Sequence, residues 1–400
     1  MMKRYSLPGY LAGAVAARAG DEMSGPALML TGFALTGSSG DAAALLAAIT
    51  VSAAVGGPLL GALLDRAGRP GRLLAAALLL YALGLGATLL GLGRLPFPVT
   101  LLIAVLTGLW GPALSGGWTA QLPAVVAGDR LPRANALDAM TFSAASLAGP
   151  ALAGVVAESV GASTAVVAAA ALVATALPAA WFLPSRPGGT RDARRASVRD
   201  DLSAGLRVIV ARRPLLEATL ASVATCVAQG MLAACLPLLG ERVLGGAGRG
   251  ALLLSCAAVS AMAATAVLAR FPRAVAPDTI VRAGALVQAA ALLLAASGRP
   301  VVLVAAALLL GIGEGPQLAA LFTVRHRESP EHLRGQTFTT GASLKITGFA
   351  VGAALAGPVA ARSLTGTLVL AAGVAVAAAL VHRLVPEAGG REPADRVPSG

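Results

Sequence analysis

The sequence predicts an all-α membrane protein of twelve transmembrane helices in two pseudo-symmetric six-helix bundles. Three observations lead there. The 400 residues are 56% hydrophobic and 12% charged, against about 45–50% and about 25% in a soluble domain, and the mean hydropathy is +0.78. Twelve apolar runs approach the roughly 20 residues that cross a bilayer, at 9–35, 41–63, 72–92, 97–121, 135–157, 163–183, 214–239, 248–269, 279–297, 300–323, 336–360 and 364–384. The chain also repeats itself: a shift of 204 places Arg66 on Arg270, Arg69 on Arg273, Gly111-Pro112 on Gly315-Pro316 and Leu114 on Leu318, and a shift of 203 places 149–154 on 352–357. Expected boundaries follow, with an N-terminal bundle over 1–183, a cytoplasmic linker over 184–213, a C-terminal bundle over 214–385 and a tail over 386–400. That tail has the Pro/Gly/charged composition of disorder.

Taken in order, the first span is the least ordinary, because Arg18, Asp21 and Glu22 interrupt it at i, i+3 and i+4 and so share one helical face. The opening run resembles a cleavable secretory signal, but cleavage would remove half of a helix that the architecture needs. Spans two and three are joined by the short basic turn of "GALLDRAGRPGRLL" (61–74). The fourth holds Gly111-Pro112 and ends near Gln121, the fifth carries "ASLAGPALAG" (145–154), and the sixth is an uncharged Ala/Val/Leu run. The polar stretch 184–213 begins Pro/Gly/Arg-rich and ends as an amphipathic helix, with Leu202, Leu206, Ile209 and Val210 expected on one side. Span seven contains Gln229 and begins near Glu217; spans seven and eight hold Cys226, Cys235 and Cys256, which read as small buried hydrophobes. Span ten carries Glu314 and Gln317, and span eleven Lys345 near its centre.

The net charge of +12 is a topological signal. With both termini in the cytoplasm, 24 of the 31 Lys/Arg fall in inner segments, the bias that orients membrane proteins. This places the chain in a bacterial-type cytoplasmic (inner) membrane as a multi-pass protein in contact with the lipid bilayer, anionic headgroups included. No basic stretch carries interleaved aromatics, so nucleic acid is excluded as a partner. His326, His332 and His382 lie on the inner side without a carboxylate or Cys cluster, and no C-x-x-C occurs, so neither a metal nor a cofactor is expected. The only lysines, Lys3 and Lys345, do not follow a phosphate-binding loop, which disfavours ATP as energy source. Without H-E-x-x-H, G-x-S-x-G or a soluble domain, the chain is not expected to be an enzyme.

The loop 61–74 resembles the signature of the major facilitator superfamily: Gly61, Leu63, Asp65, Arg66, Gly68 and Arg69 match, and Pro70 replaces the final basic residue. A short connection needs Gly for tight turning and close packing, and an aspartate at a helix end suits the positive N-terminus of a neighbour. The resemblance implies a latch, with Asp65 near the start of the eleventh helix at about Gly335 to Thr337. In span five Gly149, Pro150 and Gly154 resemble the superfamily's antiporter motif, with Ala145 and Ala153 in place of two glycines, and "LPRANALDAM" (131–140) is similar to bacterial drug-efflux members.

Charges inside a membrane cost at least about 2.5–3.5 kcal/mol and face the bundle interior or a wet cavity. Two readings of Arg18, Asp21 and Glu22 stay open. In one, Asp21 or Glu22 takes up and releases a proton, burial favouring the neutral acid and Arg18 the carboxylate. In the other, Arg18 and Asp21 form a permanent ion pair. Under the shift of 204 the corresponding residues are Ser222, Thr225 and Cys226, so the charges belong to one half only. Glu314, Gln317, Lys345 and Gln121 are candidates for the substrate path, and Glu314 and Lys345 could pair. The expected function is secondary active transport, with proton-coupled efflux of a small hydrophobic or drug-like molecule by a monomer working through alternating access. Proton-coupled import or facilitated passage of a polar metabolite is the alternative, followed by a transporter-like membrane sensor that moves nothing.

Overall fold

The computed structural model describes residues 6–126, 128–184, 198–246 and 249–384. They form fifteen α-helices and, among the described residues, no strand. The N-terminal bundle comprises α1 (Leu7–Thr36), α2 (Ser39–Arg66), α3 (Pro70–Gly91), α4 (Phe97–Gly108), α5 (Leu122–Val125), α6 (Leu131–Ser159), α7 (Ala162–Thr175) and α8 (Leu177–Trp181). After α9 (Val198–Ala211) come α10 (Arg213–Leu244), α11 (Gly250–Arg270), α12 (Pro277–Ala295), α13 (Pro300–Glu328), α14 (Arg334–Arg362) and α15 (Leu364–Leu384). Counting α4 with α5 and α7 with α8 as single crossings gives two sets of six, each around its own core. Leu64, Leu78, Tyr81 and Trp118 centre the first, and Met231, Cys235, Leu292 and Leu368 the second.

Local chemistry sets these limits. Ser6 caps α1 by accepting from the Gly9 N–H at 3.4 Å, and Gly37, at φ 68°, closes it in the left-handed region that glycine adopts freely. Pro70 is the first residue of α3, where its missing N–H costs nothing. The expected continuous fourth span is instead interrupted: after Gly111-Pro112 the backbone widens into a π-helical turn, Ala113–Gly117, before α5 begins. Pro316, at the equivalent place in α13, leaves that helix unbroken. The sixth span is likewise split, at Ala176, with Pro178 in the first turn of α8.

Ten helical stretches are long and apolar enough to cross a membrane among the described residues. α1 and α14 complete the twelve, and they fall short of that measure because of the charged and hydroxylated residues they carry inward. The outer surface is apolar instead: Val55, Leu83, Phe182 and Val301 are 70, 60, 70 and 83% exposed, as lipid contact requires.

The amphipathic segment after the linker is helical, but its buried stripe differs from the expected one. Gly205 and Ile209 face inward, whereas Leu206 and Val210 are exposed. Gly205 lies against the Gln336 side chain, where an added Cβ would come 2.8 Å from its Cδ, so packing on α14 sets the rotation of α9. The side chains of Leu202 and His382, linker residues 185–197 and the tail 386–400 lie outside the described residues. Cys226 and Cys235 are buried and Cys256 half-buried, all as free thiols.

Candidate functional site

Arg18 does not pair with Asp21, so the permanent ion pair, one of the two readings left open by their spacing, is not formed. Its guanidinium meets Asp138 of α6, Nη1 to Oδ1 at 2.9 Å and Nη2 to Oδ2 at 3.3 Å, with Arg18 2% and Asp138 0% exposed. Nη1 also donates to the Asp138 carbonyl at 3.0 Å and to the Thr141 hydroxyl, and Nη2 to Thr119 Oγ1 at 2.8 Å. Thr119 donates in turn to Asp138 Oδ2 at 2.8 Å. The guanidinium carbon lies 3.7 Å from the centre of the Phe142 ring. With its charge neutralised this closely, Arg18 is a structural clasp between α1, α6 and the end of the fourth crossing.

Asp21 is held by another set. Tyr81 of α3 reaches Asp21 Oδ1 at 2.7 Å, Ser24 Oγ lies 2.8 Å from the Tyr81 hydroxyl, and Ser24 donates to the Asp21 carbonyl at 2.7 Å. Glu22 touches Ser146 of α6 at 3.4 Å. Gly149 makes this crossing possible: a Cβ there would stand 2.6 Å from Glu22 Cβ and 2.9 Å from the Met23 nitrogen. Pro150 follows it within α6, while Gly154 has nothing within 4 Å and plays no packing part.

Asp21, Glu22, Ser24 and Tyr81 line a cavity of about 240 Å³ that α2 (Leu46, Ile49, Thr50, Ala53), the π turn and Ile346 complete. Its residues occupy the middle of α1 and the half of α2 away from the chain termini, so access is from the face opposite the termini. On the termini-bearing face the halves are shut. Asp65 accepts from the backbone N–H groups of Gly335 (2.7 Å) and Gln336 (2.8 Å), capping α14. Gly61 lets α2 approach there, since a Cβ would lie 2.6 Å from Gln336 Cα. Arg66 is half-buried, and Gly68 and Arg69 are exposed beside this contact. Deeper in, Phe142, Phe322 and Phe338 stack with ring centres 5.6 and 6.0 Å apart. His326 reaches Asn135 Oδ1 at 2.9 Å and the Thr119 carbonyl at 3.2 Å, and Arg273 meets Asp129 at 2.7 Å.

In the C-terminal half, Glu314 and Lys345 line one small cavity of about 20 Å³ with Ser222, Thr225, Cys226, Gln229 and Gln317. They form no direct ion pair. Gln317 belongs to an amide chain in which Gln229 donates to Gln288 (2.9 Å), Gln288 to Gln317 (2.8 Å) and Gln317 to the Val281 carbonyl (3.0 Å). Gln121 is buried and bonds weakly to the Gly117 carbonyl at 3.4 Å, away from both cavities. Glu217 sits at the membrane edge with Arg213 and Arg282. No metal-holding group of His, Cys, Asp or Glu occurs among the described residues.

Asp138, Tyr81, Ser24, Asn135 and the Phe142/Phe322/Phe338 stack are the residues that sequence reasoning passed over. Asp138 had a signal, as an acid inside an apolar span that needs a partner.

Residues 10–277 match the family model described as Major Facilitator Superfamily. No curated protein matches the chain in sequence. Among solved structures, the human organic anion transporter MFSD10 (TETRAN) superposes with a TM-score of 0.78 at 17% identity, covering 96% of this chain and 100% of that one. A bacterial homologue of the iron transporter ferroportin in an outward-facing state gives 0.74 at 18% identity, with 95% and 98% covered. The transporter FucP in its outward conformation gives 0.66 at 17%, with 96% and 100% covered. At these identities the likeness is one of fold.

Proposed function

The chain belongs to the Major Facilitator Superfamily, and on that premise we propose that it is a proton-coupled exporter of a small, largely apolar molecule. It works as a monomer in the cytoplasmic membrane, with both termini inside. One observation carries the reading. Of the three charges in the middle of α1, Arg18 is paired with Asp138, leaving Asp21 and Glu22 on the wall of the open cavity with neither in an ion pair. Two carboxylates in that position can exchange protons with water from one side, then from the other once the bundles rock about the site between them. The cavity walls otherwise offer Leu, Ile, Ala and Gly with single hydroxyls, which suits an apolar cargo. Asp65 on the start of α14 and the aromatic stack beneath the cavity hold the inner side shut in this outward-facing arrangement; both must part for loading from the cytoplasm.

Everted membrane vesicles with an internal pH dye test this. Energised vesicles should release protons when a cargo from a panel of hydrophobic cations, neutral antibiotics and small metabolites is added. Absence of any release across the panel, with flux of a labelled compound intact, rejects proton coupling. A second reading, uptake or facilitated passage of a polar metabolite, is favoured by the C-terminal cavity, where Ser222, Thr225, Gln229, Gln317, Glu314 and Lys345 converge. Accumulation of a polar solute by right-side-out vesicles, driven by an inward proton gradient, would select it.

A further inference from the structure

The C-terminal cavity is shut in this structure. At about 20 Å³ it has room for about one water, although Ser222, Thr225, Gln229, Glu314, Gln317 and Lys345 all converge on it. Its lining continues toward the termini-bearing face along the same helices. On α13, Glu314, Leu318, Leu321 and Arg325 are spaced i, i+4, i+7 and i+11 and share one face, and the first three line the cavity. On α14, Gly341 stands one turn before Lys345. Arg325 and Gly341 meet: a Cβ on Gly341 would lie 2.9 Å from Arg325 Nη1, so the glycine leaves the hollow in which the guanidinium rests.

Arg325 is 2% exposed, and its Nε and Nη2 reach no acceptor among the described residues. The centre of the Phe338 ring lies 5.8 Å from its guanidinium carbon, near the far limit of a cation–π contact. Arg18, equally buried, has Asp138 against it at 2.9 Å. A buried charge left without a counter-ion is strongly destabilising, so Arg325 is held ready for a partner that is not present in the shut state. The balance of charge says which sign that partner has. One carboxylate, Glu314, stands on this face against two cations, Lys345 and Arg325, leaving one positive charge in surplus. A guanidinium presents its N–H groups as a flat fork that grips a carboxylate or phosphate through two bonds at once.

We propose that Arg325 binds the acidic group of the cargo on the cytoplasmic side, and that the cargo is a small molecule with an apolar body and one carboxylate or phosphate group. The proposal rests on the exporter reading and narrows its cargo. Access comes with the opening of the inner side. His326, next in the chain, crosses to Asn135 and the Thr119 carbonyl of the N-terminal half, and Phe322 stacks on Phe142. Gly116 of the π turn presses on Phe338, where a Cβ would lie 2.6 Å from the carbonyl oxygen. Parting the bundles breaks all three contacts and uncovers Arg325 and Phe338 together, a cation for the acid and a ring for the apolar body. Across the interface Asp21 and Glu22, when ionised, repel an anion, so the acid stays on the C-terminal half and the body turns to Leu46 and Ile49 of α2.

Melting of the full chain in lipid nanodiscs, followed with a thiol-reactive dye as buried Cys226 and Cys235 become exposed, tests this without transport. The probe is sodium benzoate, with benzamide as its uncharged isostere and inorganic phosphate as the free anion. Benzoate should raise the wild-type melting temperature by a few degrees, as a ligand of the folded state does, and benzamide should not. Asp65→Ala should enlarge the rise, since the shut state competes with binding. The rise should vanish in Arg325→Met and shrink in Gly341→Ala, whose methyl pushes the guanidinium from its hollow and keeps the charge. Without ligand, Arg325→Met should melt at or above wild type, because it removes a buried charge that has no counter-ion; an arginine that merely holds the fold together would lower the melting temperature. A rise that survives Arg325→Met, an equal rise with benzamide, no rise in wild type, or an unliganded Arg325→Met that melts well below wild type overturns the proposal. A rise with phosphate alone assigns the site to a free inorganic anion and overturns the acidic cargo. The vesicle assay separates this failure from that of the exporter reading. Proton release by a neutral or cationic compound with no benzoate rise keeps the exporter and rejects the acid; a benzoate rise lost in Arg325→Met, with no proton release by any compound, does the reverse.

Discussion

Replacing Asp138 by leucine should destabilise the protein more than any other single change in the N-terminal half, and pairing it with Arg18→Met should restore most of the loss. The magnitude follows from the contacts. Asp138 is fully buried and supplies both oxygens to Arg18, at 2.9 and 3.3 Å. Removing one partner of a buried ion pair costs about 3–5 kcal/mol, because the other charge is left uncompensated. Here the lower end applies, since the residue-138 carbonyl, at 3.0 Å, and the Thr119 hydroxyl, at 2.8 Å, survive as neutral acceptors. Nε already has no partner, so the guanidinium starts with little to spare. A loss near 3 kcal/mol is roughly a hundredfold in the folded-to-unfolded ratio. The double variant removes both charges and leaves two apolar side chains of similar bulk, a replacement that is often neutral. Reversible unfolding in mixed micelles, followed by tryptophan fluorescence, gives the four corners of the cycle. A coupling of about 2 kcal/mol or more is expected. Additive single effects would refute the pairing and return Arg18 to Asp21.

Three further outcomes follow. Gly149→Val should cost about 1–3 kcal/mol and slow transport by driving α6 off α1 at Glu22, whereas Gly154→Ala, with nothing within 4 Å, should stay within about 0.5 kcal/mol by the same unfolding assay. Asp65→Ala removes the acceptor of two backbone N–H bonds at 2.7 and 2.8 Å, each worth about 1.5–3 kcal/mol to a charged group; a cysteine placed at Thr339 should then react faster with a membrane-impermeant maleimide from the termini-bearing face. Gln317→Leu strips the acceptor from Gln288 and should cost about 1–3 kcal/mol, measured as a fall in melting temperature with proton release left intact.

Hydropathy made the fold legible because a lipid-facing helix must be apolar along its whole length, and that signature survives in a single sequence. The exceptions are informative. α1 and α14 fall short as spans because their polar residues face a cavity or the partner bundle. The break after Pro112 was invisible because proline inside a membrane helix permits either outcome, as unbroken α13 at Pro316 shows. The loop motif pointed to Asp65 beside the start of α14, a relation that helix-end electrostatics also supports. The i, i+3 spacing of Arg18 and Asp21 left an ion pair between them as one of two open readings, and it could not show that α6 offers Arg18 a carboxylate with better geometry 120 residues away. Tyr81 and Ser24 are ordinary helix residues in sequence, and only their convergence on Asp21 gives them meaning.

The repeat sharpens what the two halves do differently. Asp21 aligns with Thr225 and Glu22 with Cys226 under the shift of 204, and each pair lines the cavity of its own half. The positions correspond in sequence and both line cavities, but their chemistry differs. Thr225 shares its hydroxyl hydrogen between the Ala221 and Ser222 carbonyls, at 3.1 and 3.0 Å, and reaches Gln317 Oε1 of α13 at 3.4 Å, and a threonine has no second protonation state near neutral pH. Asp21 has one, and it accepts from Tyr81 of α3 at 2.7 Å. The amide chain through Gln229, Gln288 and Gln317 ties α10, α12 and α13 together with neutral bonds that no pH change near neutrality disturbs. The asymmetry at this place is therefore one of chemistry, with carboxyls on α1 against a hydroxyl and a thiol on α10, while the C-terminal half carries its own charges, Glu314 and Lys345, on α13 and α14.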